Sequence, residues 1–343
     1  MARVVVAGAG AIGASVAYHL ALRGARDVVL CDRGEVAGGS TSKAMGGVRQ
    51  QFSTAAEVRL ARDSIRFFEE LGEPLFLQVG YVFLATTPEG LEALERRAQV
   101  QRELGVPVER VPVPDGVRSD DVLGALACWS DGVADPPAVT RELVRRSREA
   151  GVELREGTDA REVDRDVLVV AAGPWSPELV PELPIRPLAR QLLETSALEL
   201  REDLPMVVEA ETGFHFRRRG DRLVLAMADA EPRWGEDTSV DESVFGDRLE
   251  RLAHRYPAAA GARIERGWAG LYDMTPDAHP IVGRIADGVY AACGFSGHGF
   301  MQSPAVGRAL SEEILDGWTV YDLTPYRLER FAEGATFAEE VIL

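Results

Sequence analysis

The sequence predicts an α/β fold, in which a Rossmann-type domain is interleaved with a second, α+β domain built on an antiparallel sheet. Three observations predict it. Residues 4–31 give a strand, a glycine-rich turn, a helix and a second strand, the order of a parallel βαβ unit. All-apolar strands of the buried parallel kind return at 167–171 and 289–293. Between them, residues 186–264 alternate short strand patterns with turn signals, which is typical of antiparallel sheets.

The N-terminal βαβ unit is predicted from consecutive patterns. Val4–Ala7 and Val28–Cys31 are apolar throughout, as expected of buried strands. Between them, Ala14–Arg23 has helical spacing, and Gly24 ends the helix because glycine adopts left-handed backbone angles readily. Residues 35–53 are rich in Gly, Ser and Thr without periodicity, so we expect a loop there.

Later elements follow from the same signals. The strand-like segment Gly80–Ala85 precedes a helix that begins at Pro88, a residue favoured in the first helical turn. Arg217–Arg219 lies directly before Gly220, which predicts a hairpin turn rather than a basic binding stripe. The predicted helices after residue 53 are Ala55–Leu71, Pro88–Leu104, Ala138–Ala150 and Pro304–Leu315.

The two domains are expected to be interleaved along the chain, because strands of the first sheet return after each interruption. We assign residues 1–80, 135–185 and 265–325 to the Rossmann-type domain. Residues 81–134 and 186–264 form the second domain in this assignment, and residues 326–343 form a C-terminal tail.

Composition narrows the class of protein. The chain has 343 residues, of which 46% are hydrophobic and 27% charged, the balance of an ordinary globular protein. Its net charge of -17 repels phosphate backbones and anionic lipid, so we expect no nucleic-acid partner. No segment approaches about 20 uninterrupted apolar residues, so we expect no membrane span.

The cysteines predict neither disulfides nor a metal. Cys31, Cys128 and Cys293 are odd in number and far apart, without the spacing of a disulfide framework or a zinc site. Reduced cysteines fit a cytoplasmic location.

A dinucleotide motif follows the first strand. The glycines of a GxGxxG pattern permit a tight turn, close approach of backbone to a pyrophosphate, and close helix packing. Asp32 ends the second strand, where a carboxylate accepts the ribose hydroxyls of an adenosine. The motif alone leaves open whether the dinucleotide is NAD or FAD. Its residues are Gly8, Ala9, Gly10, Ala11, Ile12 and Gly13.

Further blocks resemble those of a known family. They are Gly38–Phe52, Asp135-Pro136, Val169–Ser176, Gly213–Arg217, Thr275-Pro276-Asp277 and Gly294–Phe300. These blocks are similar to those of the FAD-dependent amino-acid and amine oxidoreductases of the D-amino-acid oxidase superfamily, most of all sarcosine oxidase and the dimethylglycine and proline dehydrogenases. The resemblance covers most of the chain and implies FAD as the cofactor, so that the Rossmann-type domain is an FAD-binding domain and the second is a substrate domain.

The resemblance also implies which residues contact FAD. The glycine-rich turn over 294–299 directs backbone amides and a helix dipole at one spot, which suits negative charge on a reduced flavin. Ser40, Thr41 and Ser42 are hydroxyl donors for the pyrophosphate, with plain turn chemistry as the alternative. Beyond the GxGxxG motif, the candidates are Asp32, Arg33, Ser40, Thr41, Ser42, Gly46, Gly47, Ala160, Ala172, Gly173, Trp175, Gly270, Gly294, Phe295, Gly297, His298, Gly299, Phe300 and Met301.

Substrate and catalytic candidates come from the same blocks. Arg49 is the candidate for the substrate carboxylate, since a guanidinium fork matches a carboxylate bidentately; a surface ion pair is the alternative. Tyr272 matches a family position facing substrate, with a core tyrosine as its alternative. His298 is a catalytic candidate or a structural histidine at the flavin turn, and His215 faces either the pocket or solvent. The substrate-binding candidates are Arg49, Gln51, His215, Tyr272 and Met301, and the catalytic ones Arg49, Tyr272 and His298.

Three departures from the sarcosine oxidases bear on the chemistry. Met301 replaces a lysine that helps to bind the carboxylate there, and residues 223–227 lack the lysine that handles oxygen beside the flavin. Gly270 stands where those oxidases attach the flavin to a cysteine. The comparison therefore implies non-covalent FAD and a dehydrogenase that passes electrons to a partner subunit or carrier.

The expected reaction is oxidation of the C–N bond of a small, N-methylated or cyclic secondary amino acid. Hydride transfer to flavin N5 gives an imine that water hydrolyses. Three alternatives stay open: a non-catalytic FAD-bound assembly factor or subunit of a larger dehydrogenase complex, a D-amino acid or glycine oxidase, and a nicotinamide-dependent dehydrogenase.

Overall fold

The computed structural model describes residues 2–339, which form 18 strands and seven α-helices. The strands are β1 Val4–Ala7, β2 Val28–Cys31, β3 Gly47–Val48, β4 Phe76–Leu77, β5 Tyr81–Ala85, β6 Glu109–Val111, β7 Gly124–Cys128, β8 Gly132–Ala134, β9 Glu153–Arg155, β10 Val167–Val170, β11 Arg186–Thr195, β12 Met206–Glu209, β13 His215–Arg219, β14 Arg222–Ala226, β15 Arg233–Trp234, β16 Ile264–Met274, β17 Ile281–Ala286 and β18 Val289–Cys293. The helices are α1 Ala11–Leu22, α2 Ala55–Leu71, α3 Pro88–Glu103, α4 Pro136–Glu149, α5 Phe245–Arg255, α6 Gly299–Asp316 and α7 Arg330–Glu333.

The chain divides into two compact units that alternate along the sequence. The first contains the chain up to Gly46 together with Asp135–Leu188 and Leu271–Glu339. The second contains Gly47–Ala134 and Ala189–Gly270. Residues 47–80, which we assigned to the Rossmann-type domain, lie in the second unit, because β3 and β4 pair with β8 of that unit.

The first unit is built on a six-stranded sheet in the order β17-β18-β10-β1-β2-β9. Neighbours from β18 to β9 are parallel, and β17 runs antiparallel to β18. Val4 pairs with both Val28 and Val167, so the strand before the glycine motif is central and buried on both faces. Helix α1 packs against α4 and α6. This arrangement places the turn after β1 at the carboxyl edge of the parallel strands.

Helix α6 begins earlier than the sequence predicts. We expected it to start at Pro304, but it starts at Gly299 and runs through that proline. Proline lacks the N–H that would bond to the carbonyl four residues back. The Ser303 hydroxyl donates to the Phe300 carbonyl at 2.9 Å instead, so this carbonyl keeps a donor and the helix extends to the glycine-rich turn.

The end of the chain is not a tail in the described residues. Arg330 is fully buried and donates two hydrogen bonds, 2.8 and 3.0 Å long, to the carboxylate of Asp277. Tyr326 is also buried. Residues up to 339 therefore belong to the first unit, and positions 340–343 lie outside the described residues.

The second unit contains the predicted antiparallel platform. Its large sheet runs β15-β11-β14-β13-β12-β5-β7-β6, with β16 paired to β11. From β11 to β6 the neighbouring strands are antiparallel, except that β12 and β5 are parallel. The predicted hairpin is confirmed, because Arg219 pairs with Arg222 across Gly220, whose φ is 64°. A small sheet of β3, β8 and β4 carries the loop after residue 48.

Within residues 2–339, every helix is too short or too polar to cross a bilayer. The same residues hold no cluster of three or more His, Cys, Asp or Glu side chains arranged to bind a metal.

Candidate dinucleotide and substrate sites

Two glycines of the motif, Gly8 after β1 and Gly13 in the first turns of α1, have no room for a side chain. A Cβ on Gly8, whose φ is 110°, would stand 2.3 Å from the Ala171 carbonyl oxygen. A Cβ on Gly13 would stand 1.8 Å from the Gly8 carbonyl oxygen. Both distances are far below contact distance, so these two positions require glycine. Gly8 thus permits the tight turn against the end of β10, and Gly13 permits close packing of α1 on that turn, the two roles that the GxGxxG motif requires of them.

The N-terminus of α1 follows Gly10 and lies against Thr41. Gly10 caps the helix without a side-chain hydrogen bond, and a Cβ on it would lie 3.2 Å from Thr41 Oγ1. The amides of Ala11 and Ile12 lie in the first turn, where the helix dipole is positive. The Ala11 amide donates to Thr41 Oγ1 at 3.1 Å. The Thr41 hydroxyl thus lies at the helix end, where its own proton can be donated to a phosphate.

Asp32 is held at the end of β2 by two backbone amides. Ala9 N donates to Oδ2 and Gly34 N donates to Oδ1, each at 2.7 Å. Each carboxylate oxygen has two acceptor positions, so both retain one for a ribose hydroxyl. The geometry fits the predicted role of this residue.

The serines on either side of Thr41 use their hydroxyl protons locally. Ser40 Oγ donates to the Leu271 carbonyl at 2.7 Å. Ser42 Oγ lies 3.0 and 2.8 Å from the carbonyls of Gly38 and Gly39. These bonds shape the short 3-10 turn Ser40–Lys43. Among the three hydroxyls, the structure brings only that of Thr41 to the end of α1.

The remaining predicted cofactor residues of the first unit are spread around its sheet. Trp175 lies against Gly39, where a Cβ would stand 3.3 Å from Cζ3 of the indole. Ala172 and Gly173, whose φ is 54°, begin the turn after β10. Arg33 forms an exposed ion pair with Glu178 at 2.6 Å. Two further residues complete this set: Ala160 is buried and its carbonyl accepts from Arg165 Nη1 at 2.7 Å, and Gly46 has a φ of 82°.

The turn over residues 294–299 packs against the end of β16. A Cβ on Gly294 would lie 2.4 Å from Cγ2 of Thr275, and a Cβ on Gly297 would lie 2.4 Å from Cε2 of Tyr272. Ser296 has a φ of 52°, a left-handed conformation that costs energy in a residue with a side chain. The predicted residues that follow lie at or inside the start of α6: His298 precedes its first residue, Gly299, and Phe300 and the buried Met301 come next.

Asp273 anchors this turn, and sequence reasoning missed it. Its Oδ2 accepts a hydrogen bond from Gly294 N at 2.7 Å, and its carbonyl accepts from Ser296 N at 3.2 Å. Burial raises the pKa of Asp273 to about 6, against the opposing effect of hydrogen bonds from the amides of 294–296. Its position directly after Tyr272 was the only signal in the sequence. The carboxylate fixes the amides of the turn, and Phe295 within it is buried.

Two predicted cofactor glycines lie in the second unit. Gly47 is in β3, where a Cβ would stand 2.3 Å from the Tyr81 hydroxyl oxygen. Gly270 lies in β16. The close approach at Gly47 shows a packing reason for glycine there.

Arg49 is buried in the second unit. Its side chain is 1% exposed, and its guanidinium carbon lies 4.2 Å from the centre of the Phe52 ring and 6.0 Å from that of Phe83. Arg49 Nη1 donates to the Gln51 carbonyl. Because Arg49 is buried, the alternative in which it forms a surface ion pair is excluded. The aromatic faces attract the cation and fix the plane of its fork.

His215 is a neutral hydrogen-bond acceptor in the same unit. It is 4% exposed, and its Nδ1 lies 2.7 Å from the Gly213 carbonyl. A carbonyl only accepts, so Nδ1 carries the ring proton and Nε2 presents its lone pair. Burial and the positive charge of Arg49 lower the pKa of His215 to about 4, against the raising effect of the Gly213 bond. This burial excludes the alternative in which His215 faces solvent. The positive charge of Arg49 acts on the buried imidazole by lowering its pKa.

Gln51 completes the candidates in the second unit. Its Nε2 lies 3.2 Å from the Tyr81 carbonyl and 3.1 Å from Asp131 Oδ2. Both partners are acceptors, so the side-chain amide donates inward to the fold. The side chain is 4% exposed.

The comparisons with known proteins agree on one family. Residues 3–313 match the family model described as DAO, FAD dependent oxidoreductase. FAD-dependent oxidoreductase domain-containing protein 1 of Bos taurus is 29% identical, over 99% of this chain and 87% of its own length. Mitochondrial dimethylglycine dehydrogenase of Rattus norvegicus is 28% identical over 98% of this chain, which spans 45% of that relative. The crystal structure of L-proline dehydrogenase from P. horikoshii has a TM-score of 0.90 at 26% identity, over 97% of this chain and 98% of its own.

Proposed function

Because this chain belongs to the family of FAD-dependent oxidoreductases, we propose that it oxidises the C–N bond of a small, N-methylated or cyclic secondary amino acid. The membership confirms the predicted fold class and FAD as cofactor. The residues present fit that cofactor, since Gly8 and Gly13 permit the tight strand-to-helix packing of a dinucleotide turn and Asp32 keeps acceptor positions for a ribose. The substrate class is supported by the relatives named for dimethylglycine and L-proline, which share a carboxylate beside a non-primary amine.

The buried guanidinium of Arg49 carries the proposal. A substrate carboxylate matches the planar fork of Arg49 with two parallel hydrogen bonds between opposite charges. Because the rings of Phe52 and Phe83 fix the fork, a bound carboxylate is oriented as well as held, so the carbon beside it occupies one position.

His215 suits the amine end of the same substrate. The amine must lose its extra proton before its lone pair can form an imine. The positive charge of Arg49 disfavours an ammonium nearby, as it disfavours protonation of His215 itself. The Nε2 lone pair of His215 then accepts the N–H of a neutral secondary amine such as sarcosine or L-proline; a neutral tertiary amine such as dimethylglycine has no N–H to donate and would rely on Arg49. The pair therefore selects a carboxylate and a neutral amine together.

FAD, when bound, supplies the hydride acceptor at flavin N5. The substrate loses one hydride from carbon and gains a C=N bond with the nitrogen lone pair, and water then hydrolyses this imine to a carbonyl compound and an amine. The amides of the 294–299 turn, held by Asp273, and the positive end of α6 provide fixed dipoles for negative charge. Tyr272, packed on that turn at Gly297, is the proposed hydroxyl group near the substrate.

Electrons are proposed to leave through a partner subunit or carrier rather than to oxygen. The support is chemical: Met301 and residues 223–227 contain no lysine, whereas the resembling oxidases use lysines at the matching places. Turnover with an artificial dye acceptor that exceeds oxygen consumption would support this route, and hydrogen peroxide formed at the full turnover rate would contradict it.

The substrate class is tested by anaerobic reduction of the purified yellow protein. We expect sarcosine, dimethylglycine or L-proline to bleach the flavin bands, and an Arg49→Met variant that retains FAD to lose this response at the same concentrations. Bleaching by a D-amino acid or glycine instead would overturn the proposed substrate class in favour of the substrates of the D-amino acid or glycine oxidase alternative. Yellow protein that no amino acid reduces would favour a non-catalytic FAD-bound subunit, the alternative for which Met301 in place of lysine is the supporting observation.

A further inference from the structure

A buried carboxylate lies behind the Arg49 loop. Asp131 is in the turn between β7 and β8 and has no exposed surface. Its Oδ1 accepts from Gln50 N at 3.0 Å and from Gln50 Nε2 at 2.9 Å. Its Oδ2 accepts from Gln51 Nε2 at 3.1 Å. One carboxylate thus holds the backbone of one residue and the side chains of two.

These hydrogen bonds hold the segment that orients the Arg49 guanidinium. Arg49 immediately precedes the two glutamines, and its Nη1 donates to the carbonyl of Gln51. The segment is also held on its other side, where Gln101 Nε2 donates to the Phe52 carbonyl at 2.7 Å. The carbonyl that orients Arg49 therefore lies between two fixed points, one of which is Asp131.

We infer that Asp131 is the positioning residue for Arg49, and that its carboxylate sets the affinity of the site for the carboxylate of the substrate. The inference rests on the proposed function, in which Arg49 binds that group. Asp131 itself is a positioning residue and is not proposed to touch substrate or cofactor. It acts through Gln50 and Gln51, which keep the carbonyl of residue 51 where it orients the fork.

The charge distribution supports a role beyond packing. An apolar or amide residue would be easier to bury than a carboxylate, and burial raises the pKa of Asp131 to about 6 despite the lowering effect of bonds from Gln50 and Gln51. Only a carboxylate presents acceptors on both oxygens to the three N–H donors. In Asp131→Asn, an NH2 group would face the donor of Gln51 or those of Gln50. One of these two residues would therefore lose its hydrogen bonds to position 131.

The test measures binding of pyrrole-2-carboxylate to the FAD-loaded protein by titration calorimetry, with pyrrole-2-carboxamide as the uncharged control ligand. This flat analogue of proline keeps the carboxylate and ring N–H but resists oxidation. We expect Asp131→Asn to weaken its binding about 10-fold or more, the size of one lost hydrogen bond to a charged group, and to leave carboxamide binding unchanged. With the substrate that reduces the flavin, KM rises in the same proportion while kcat stays within about threefold.

Asp121→Asn is the matched control. It breaks the ion pair with Arg255 in the same unit, 2.8 Å long, without touching the Arg49 loop, so it reports any effect of lost stability alone. We expect it to bind pyrrole-2-carboxylate like the unmodified protein. Should Asp131→Asn not fold, Gln50→Met removes one donor to the same carboxylate, and a smaller loss of affinity of about 3-fold is expected.

The outcomes separate the two proposals. If Arg49→Met abolishes binding of pyrrole-2-carboxylate while Asp131→Asn and Gln50→Met bind it normally, the role of Asp131 is overturned and that of Arg49 stands. If Arg49→Met binds pyrrole-2-carboxylate normally, Arg49 does not bind the substrate carboxylate. The proposed function is then contradicted, and so is the inference about Asp131. A loss in Asp131→Asn matched by an equal loss in Asp121→Asn would overturn the positioning role.

Discussion

Gly297 and the ring of Tyr272 are in contact so close that no side chain fits between them. A Cβ at position 297 would stand 2.4 Å from Cε2 and 2.6 Å from Cζ of that ring. The φ of Gly297 is 95°, which a residue with a side chain rarely adopts. The turn before α6 and the proposed substrate-facing tyrosine therefore depend on one glycine.

We expect Gly297→Ala to lose FAD and to displace Tyr272. The added methyl group must push the ring or the turn aside, and both belong to the site. Gly151→Ala is the matched control, because Gly151 has a φ of 100° with nothing within 4 Å of the added Cβ. It should cost about 1 kcal/mol of stability from backbone strain alone and retain its FAD. Flavin content per protein after purification measures the difference; equal content in the two variants would contradict the steric argument.

Asp32→Ala is expected to weaken FAD binding about 10- to 100-fold. Hydrogen bonds to a charged group contribute about 1.5–3 kcal/mol each, and this carboxylate keeps acceptor positions for the ribose while it accepts from Ala9 and Gly34. Reconstitution of the apoprotein, followed by quenching of flavin fluorescence, gives the dissociation constant. Glu35→Ala removes an exposed carboxylate from the same loop and should leave that constant unchanged. An Asp32→Ala protein that binds FAD as tightly as this control would remove the residue from the site.

The sequence predicts those parts of the site whose residues are close along the chain. The glycines at 8 and 13 and the acid at 32 occur in one βαβ unit, so their spacing alone implies a common edge of the sheet. The structure places them as that argument requires. Arg49 was identified through resemblance, and its burial between Phe52 and Phe83 became visible only in the fold.

The parts that could not be predicted depend on contacts between distant segments. Asp131 holds Gln50 and Gln51 across some 80 residues of chain, and nothing near position 131 indicates this. Arg330 was assigned to a tail because short C-terminal helices carry weak periodic signals, whereas its partner Asp277 lies 53 residues earlier. The start of α6 was misplaced because a serine hydroxyl compensates Pro304, a local exception to a statistical preference.

Arg330→Ala is expected to lower the free energy of unfolding by about 3–5 kcal/mol, because it leaves the buried Asp277 carboxylate without its cation. Arg330 also donates to the His279 carbonyl at 2.8 Å, and the Thr275 hydroxyl donates to the same carbonyl at 2.7 Å. We therefore expect residues 275–279, which lie beside the 294–299 turn, to become less ordered in the variant. Urea unfolding followed by circular dichroism measures the change.

The control for that experiment is Arg284→Ala. Arg284 forms an ion pair with Asp287 in the same unit, but its side chain is 56% exposed, and exposed pairs contribute at most about 1 kcal/mol. A similar loss of stability in the two variants would show that burial of the Arg330 pair contributes nothing, and that the C-terminal segment is not anchored by it.

His215 gives a pH dependence whose sign is fixed by its environment. Its pKa is lowered from 6.5 to about 4 by burial and by Arg49, so below pH 6.5 the unfolded chain binds a proton that the folded protein refuses. The contribution of this residue to stability is therefore complete above pH 6.5 and is lost as the pH falls towards 4, by about 3 kcal/mol in all.

The variant that tests this dependence is His215→Asn, which keeps an N–H for the Gly213 carbonyl but cannot be charged. Because Asp131, with a pKa raised to about 6, shifts stability in the opposite sense over the same range, the informative quantity is the difference between the unmodified protein and His215→Asn. We expect this difference, from urea unfolding at pH 7, 6, 5 and 4, to fall with acidification. A difference for His215→Asn that is flat from pH 7 to 4 would mean that the imidazole accepts its proton in the folded state, and the neutral acceptor proposed for the amine would be lost.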